Sequence, residues 1–533
     1  MMSKVFSVII ALCIVMSLAA CGKAENSDSQ PVASENKVTE NGSVGSDEDT
    51  GMDDEEDMAE INMVFMSMAA IPNGLQAVED AINEITEAEI NTHVNIEMIE
   101  VGSYDQQVGL KISSSEKVDL MVSLPTGSAA FASMISQNQL MDISDLLSEY
   151  GQGVLDTVGT IINATSVDDA VYGVPSYRSY VTSIYIAMRT DVLEDLGLLE
   201  KAQSMTTFTE YEEILDTVKN SEKWNYLSGV VAVSNGEILS KPGAYIGNED
   251  FSDANVYDQL GELNKLVSVS CDGSSTEVLN NFDTDEYKAM YTRVKGWNDK
   301  GYIYKDSTTT KETGASLIKS NAAFSIIVSG ESDVQTSQSS SCGYDMTCTK
   351  VVTRPISTAD CQKFVWVVPN SATEPEAAVK MMNLLFTDAS INNLLAWGIE
   401  GTDYVVEDGI ARYLDEKDAD STAYHTVDFI YGNQFLIIPW DGNEADLREK
   451  AKLEMNEAPV SAFLGFSCDT SDISSELSAV INTLNEYKPS IDSGLASEDD
   501  YAAFLKKMDA SGLPKIIDTY QTQLDAWYSI NKN

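Results

Sequence analysis

From Ile61 onward the apolar positions switch between two periods. Ile61 to Met68 is an almost unbroken apolar run, as a strand buried on both faces of a parallel sheet would be. Leu75, Val78, Ile82 and Ile85 then recur at helical spacing, and Val94, Ile96 and Met98 alternate as a strand does. Val118 to Val122 predicts a third strand, ending in Pro125-Thr126-Gly127. Strand, helix, strand in this order indicates an α/β domain with a parallel sheet. Ligands in such sheets lie beyond the carboxyl ends of the strands, which singles out the loops Met68 to Asn73 and Leu124 to Ser128, with Thr126 in the second. Neither loop has the glycine spacing of a phosphate cradle. Further along, Tyr211, Ile214, Leu215 and Val218 line one helical face, and Thr209 with Glu212 is expected to form its capping box.

Ahead of Ile61 the pattern changes. Lys4 and the apolar run from Val5 to Met16 lead to the small residues Ala19 and Ala20, the charge, length and ending of a secretory signal. A run of about a dozen apolar residues is too short to span a bilayer. Ala24 to Glu60 is rich in Ser, Asn, Asp and Glu, with an unbroken acidic run from Asp53 to Asp57. Such a stretch buries too little apolar surface to offset its ordering entropy, so a flexible stalk is expected.

Charge and rare residues narrow the chemistry. The 533 residues hold 85 acids against 33 Lys and Arg, a formal charge of -52. A surface this acidic repels phosphate backbones and anionic headgroups, which argues against nucleic-acid binding and electrostatic membrane docking. Beyond the signal and Cys21, the cysteines are Cys271, Cys342, Cys348, Cys361 and Cys468, an odd set without a C-x-x-C spacing, read as free or partly paired. With His93 and His425 the only histidines, a metal site or a His-based triad has little material, and no cofactor is expected.

Two resemblances carry the functional reading. Leu18-Ala19-Ala20-Cys21 resembles the lipobox of bacterial lipoproteins, which implies cleavage after residue 20 and a diacylglyceryl group on Cys21. The succession Val171-Tyr172-Gly173-Val174-Pro175, Ser183 to Leu193 with its Arg189-Thr190-Asp191, and Thr207-Phe208-Thr209-Glu210-Tyr211 resembles the family 1 extracellular solute-binding proteins of ABC importers, the carbohydrate-binding group that includes maltose-binding protein. Trp297 to Ile303, Phe364 to Pro369, Glu374 to Ala378, Trp397 to Tyr404 and Phe463 to Phe466 fit the same order. The resemblance implies a two-lobed, periplasmic-binding-protein-like α/β fold with a hinge between lobes. Its expected divisions are a signal peptide at 1–20, a lipidated terminus and linker at 21–60, a first lobe of 61–174 plus about 369–435, and a second of 175–368 plus about 436–533.

The same resemblance implies a monomeric, non-enzymatic lipoprotein on the outer face of the cytoplasmic membrane, delivering a small-molecule carbohydrate to permease subunits. A secreted glycosidase would need only a carboxyl pair, and 85 acids leave that alternative open, as they do an adhesion lipoprotein. Sugar hydroxyls suit polar side chains and apolar ring faces suit aromatics, so Tyr177, Tyr180, Trp366 and Trp397 are candidate platforms and Arg178 a candidate fork. In an extended segment Arg178 and Tyr180 share one side and Tyr177 the other, which favours Arg178 with Tyr180.

Overall fold

Strand β1 (Ala59–Ser67) is paired in parallel with β2 (Thr92–Glu100) on one side and β3 (Leu120–Val122) on the other, and the helices Leu75–Ile90 and Val101–Ser113 make the crossovers. This is a computed structural model, and it describes residues 57–233, 246–251 and 257–531. The expected signal segment, Cys21 and nearly all of the acidic stalk lie outside the described residues. Next to β3 the strand Val365–Val367 runs antiparallel, and Val174–Pro175 closes the five-stranded sheet beyond it. A second sheet of four strands has the order Met346–Thr353, Ser183–Arg189, Ala323–Gly330, Gly229–Val231, with Ser183–Arg189 antiparallel to both neighbours.

Each sheet anchors its own hydrophobic core. The first core draws on residues 61–181 and 356–458, and the second on 184–352 and 463–524. The chain therefore passes between them three times, near residues 182, 354 and 460. These crossings differ from the divisions expected from the sequence, which placed 175–181, 356–368 and 436–458 in the second lobe. Strand pairing is the reason: Val365 pairs with Pro175 and Trp366 with both Val174 and Val122, so both segments belong to the first sheet. No helix of the described residues is long and apolar enough to cross a membrane.

Helix Phe208–Lys219 buries Tyr211, Ile214, Leu215 and Val218 as its periodicity demands. Its cap is Thr207 rather than Thr209. Thr207 Oγ1 accepts from the Glu210 N–H at 3.1 Å, and Glu210 Oε2 accepts from the Thr206 N–H at 2.8 Å. Burial of Phe208 between Phe251 and Trp297, with ring centroids at 5.1 and 6.1 Å, draws the helix start forward. Glu212 serves elsewhere, accepting the Trp297 Nε1–H at 2.8 Å and pairing with Lys300 at 2.5 Å.

The first lobe is fastened by Asp119, which has no exposed surface. Its carboxylate accepts from the backbone N–H groups of Asn62 at 2.8 Å, Thr373 at 2.8 Å and Glu374 at 3.1 Å, tying β1 to the start of helix Pro375–Thr387. A buried carboxylate so supplied with donors is stable, whereas its removal orphans three donors at once. Asp119→Ala is expected to destabilise the protein by about 3 kcal/mol in urea unfolding. A loss under about 1 kcal/mol would show that those donors find water instead.

Candidate functional site

The carboxyl ends of the two sheets face the same crossings. In the first sheet that edge carries the loops after Ser67 and Val122 and the residues after Pro175, and the antiparallel strand Val365–Val367 brings its own start, Phe364, to the same edge. In the second sheet it carries Glu331 after Ala323–Gly330 and Arg354 after Met346–Thr353. The crossings therefore join edge to edge, and the space between the edges is the cleft where an α/β sheet offers a ligand its loop groups.

Arg178 is the central cation. Its guanidinium lies 5.6 Å from the Tyr180 ring centroid and 6.0 Å from that of Phe364, and its Nη1 donates to Ser179 O at 3.1 Å. Phe364 meets Phe429 at 5.6 Å, and both rings are half-buried. Glu331, from the second lobe, lies within electrostatic reach of Arg178. Its side chain is exposed, but desolvation by the surrounding protein pushes its carboxyl up to about 7; Arg178 and Lys363 pull it down, while Asp333 and Asp428 raise it. Burial also raises Asp333, with Asp428 adding to the shift and Arg448 opposing it. Asp428 is ion-paired to Arg448, whose Nε donates to Ile437 O at 3.0 Å. Beside the cleft, Lys350 of the second sheet reaches Glu454 of the first core at 2.5 Å. The result is a recess of mixed charge with two apolar rings, suited to a polar, largely uncharged solute held by hydrogen bonds and ring contact.

The candidate residues read from the sequence are placed unequally. Arg178 and Tyr180 are in contact and both are buried: Arg178 Nη2 donates to Asp360 O at 3.4 Å, and the Tyr180 hydroxyl donates to Ser176 O at 2.6 Å. Tyr177 packs on Phe435 at 5.2 Å, its backbone bridged to the Gly432–Gln434 segment. Trp366 has no exposed surface. Its Nε1–H donates to Ile430 O at 3.1 Å and its ring lies edge-on to Phe65, so it is core rather than platform here. Trp397 is likewise buried, with its Nε1–H donated to Ile438 O at 2.9 Å. Thr126 is exposed in the loop after β3, a loop held by Asp105 accepting from Ser128 Oγ and the Ala129 N–H. Gly127 there has φ +98°, and a Cβ would fall 2.6 Å from the Asp105 carboxylate. The five cysteines are free.

Glu331, Phe364, Asp428 and Phe429 complete the cleft without having been singled out. Glu331 carried a usable signal, an apolar strand ending in Gly330 followed by an acid, because the carboxyl-end rule applies to the second sheet as it does to the first. Asp428 and Phe429 lie in an irregular stretch with no periodicity to mark them.

A recess of about 870 Å³ also opens between the cores, walled by Ile162, Asn163 and Gln362 on one side and Leu464, Cys468 and Trp527 on the other. None of its lining residues comes from the carboxyl edge of the second sheet. For that reason, and because the charged and aromatic groups converge on Arg178, the cleft at Glu331 is the candidate site.

Comparison with known proteins agrees with this architecture. Residues 80–401 match the family described as bacterial extracellular solute-binding protein, and the chain belongs to that family. Residues 462–529 also match a domain of unknown function. A carbohydrate ABC transporter substrate-binding protein of Streptococcus pneumoniae serotype 4 is 22% identical over 469 residues, covering 86% of this chain and 90% of that one. The crystal structure of the N-glycan transport solute binding protein NgtS of Streptococcus pneumoniae is similar with a TM-score of 0.72 and 20% identity, over 89% of this chain and 100% of that one. The same protein in complex with Man1GlcNAc gives 0.60 at 20% identity, over 88% and 100%.

Since Arg178 opposes the upward shift of Glu331, removing the guanidinium stabilises the protonated acid further. Arg178→Met is expected to move the Glu331 titration above its midpoint of about 7, followed by carboxyl carbon NMR. An unchanged midpoint would mean that the guanidinium is not felt across the cleft.

Proposed function

We propose that this chain is the substrate-binding lipoprotein of an ABC importer, capturing a carbohydrate between its lobes and presenting it to the permease subunits. The observation that carries the reading is the meeting of both carboxyl edges around Arg178, Glu331, Phe364 and Phe429, in a chain similar along most of its length to a carbohydrate substrate-binding protein. Nothing in the task requires covalent chemistry. Side chains on both edges grip the solute, and the closed state gains whatever binding free energy the open state cannot reach. Arg178, with Glu331 opposite and Thr126 on its loop, is the polar set for solute hydroxyls, and Phe364 with Phe429 supplies ring surface.

The protein works as a monomer outside the cell, tethered through Cys21. A diacylglyceryl cysteine carries two acyl chains, enough for stable anchoring.

Binding is tested by titrating purified protein against a panel of neutral oligosaccharides, with small-angle scattering on each binder. At least one sugar should bind and lower the radius of gyration, and Arg178→Ala should weaken it about tenfold. Absence of binding across the panel, in calorimetry and in thermal shift, would overturn the assignment. For the anchor, Cys21→Ala should move the protein from the membrane fraction to the medium or leave it unprocessed. Processed Cys21→Ala protein still in the membrane fraction would count against lipidation.

A further inference from the structure

The first lobe holds an aromatic cluster that the cleft residues above do not use. His425 stacks on Trp397 at 4.9 Å and 21°. Trp440 meets His425 at 4.3 Å and Trp397 at 4.8 Å, and Tyr413 meets Trp440 at 4.8 Å. Trp397 is the buried floor of this cluster, while Tyr413, His425 and Trp440 are only half-buried. Among the described residues neither the Tyr413 hydroxyl nor the Trp440 Nε1–H has a protein hydrogen-bond partner, and neither is a buried orphan. Burial lowers the His425 imidazole to about 4, so at neutral pH the ring is uncharged. Open ring surface beside unengaged donors suits a sugar ring, whose apolar face stacks while its hydroxyls need partners.

Position links this cluster to the cleft. The Gly74 N–H donates to Ala423 O at 2.9 Å, and a Cβ on Gly74 would stand 3.1 Å from Ala423, so the segment entering His425 lies across the loop beyond the carboxyl end of β1. From His425 the chain runs to Asp428, which faces Glu331, and to Phe429, which packs on Phe364. Four residues of chain reach at most about 13 Å, too far for one sugar ring to touch both ends if the segment is extended.

We propose that the cleft continues from Phe364 and Phe429 to an outer subsite formed by Tyr413, His425 and Trp440, and that the solute is an oligosaccharide longer than a disaccharide. The inference rests on the carbohydrate reading above and adds to it the length of the ligand. A cluster that merely roofs Trp397 would be indifferent to that length.

The test uses the full protein with a neutral oligosaccharide array that includes Man1GlcNAc and Man5GlcNAc, followed by calorimetry with one short and one long member of the series that binds. Trp440→Ala and Tyr413→Ala should each lose about tenfold in affinity for the long glycan and leave the short one unchanged. Should Trp440→Ala fail to fold, Tyr413→Phe removes only the hydroxyl and still weakens the long glycan selectively. Equal losses for both lengths, or none, would overturn the subsite while the carbohydrate reading stands. If the wild type binds no glycan of any length, that reading falls and the subsite with it.

Discussion

The strand Val365–Val367, held between β3 and Val174–Pro175, is the join on which both halves depend. Its pairing sets two crossings side by side at one edge of the first sheet, and so fixes where the second lobe must face. Gly173 shows how close the join is. A Cβ there would stand 2.8 Å from Trp366 O and 2.7 Å from the Val365 side chain, so only glycine lets the incoming chain lie against the returning one. Arg178 then leaves the sheet just where Phe364 enters it, and their contact follows from the register.

Charge is arranged locally against the trend of the whole. In a chain of formal charge -52, Arg178, Lys363 and Arg448 gather around Glu331, Asp333 and Asp428. Three cations among three acids keep the recess from acting as a bare acidic funnel, and each charge has an opposite neighbour to orient it. Such a recess offers donors and acceptors in equal supply, the condition for reading hydroxyl groups, which are both.

Much of the first lobe was legible because its signals are local. Ile61 to Met68, the stripe of Leu75, Val78, Ile82 and Ile85, and the alternation after His93 each form the element their period predicts. What escaped depends on contacts distant in sequence. The lobe boundaries turn on Trp366 finding Val122, some 240 residues earlier, and nothing near Trp366 distinguishes a buried indole from a platform. The cap moved from Thr209 to Thr207 because Phe208 packs against Trp297, another remote partner. Arg178, at the candidate cleft, is marked in the sequence by its place after the crossover strand. Glu331 carries the same kind of mark, at the carboxyl end of the strand Ala323–Gly330 in the second sheet.

Asp119 adds a consequence for the order of folding. Its donors at Thr373 and Glu374 stand 254 and 255 residues further along, beyond the first of the two segments that build the second lobe. A nascent chain carrying β1, β2 and β3 can offer Asp119 the Asn62 N–H and Lys117, but two of its three backbone donors are missing until more than two thirds of the polypeptide has emerged. Long-range closure of this kind makes for slow folding. A first lobe unable to finish early is a delay built into the order of the chain.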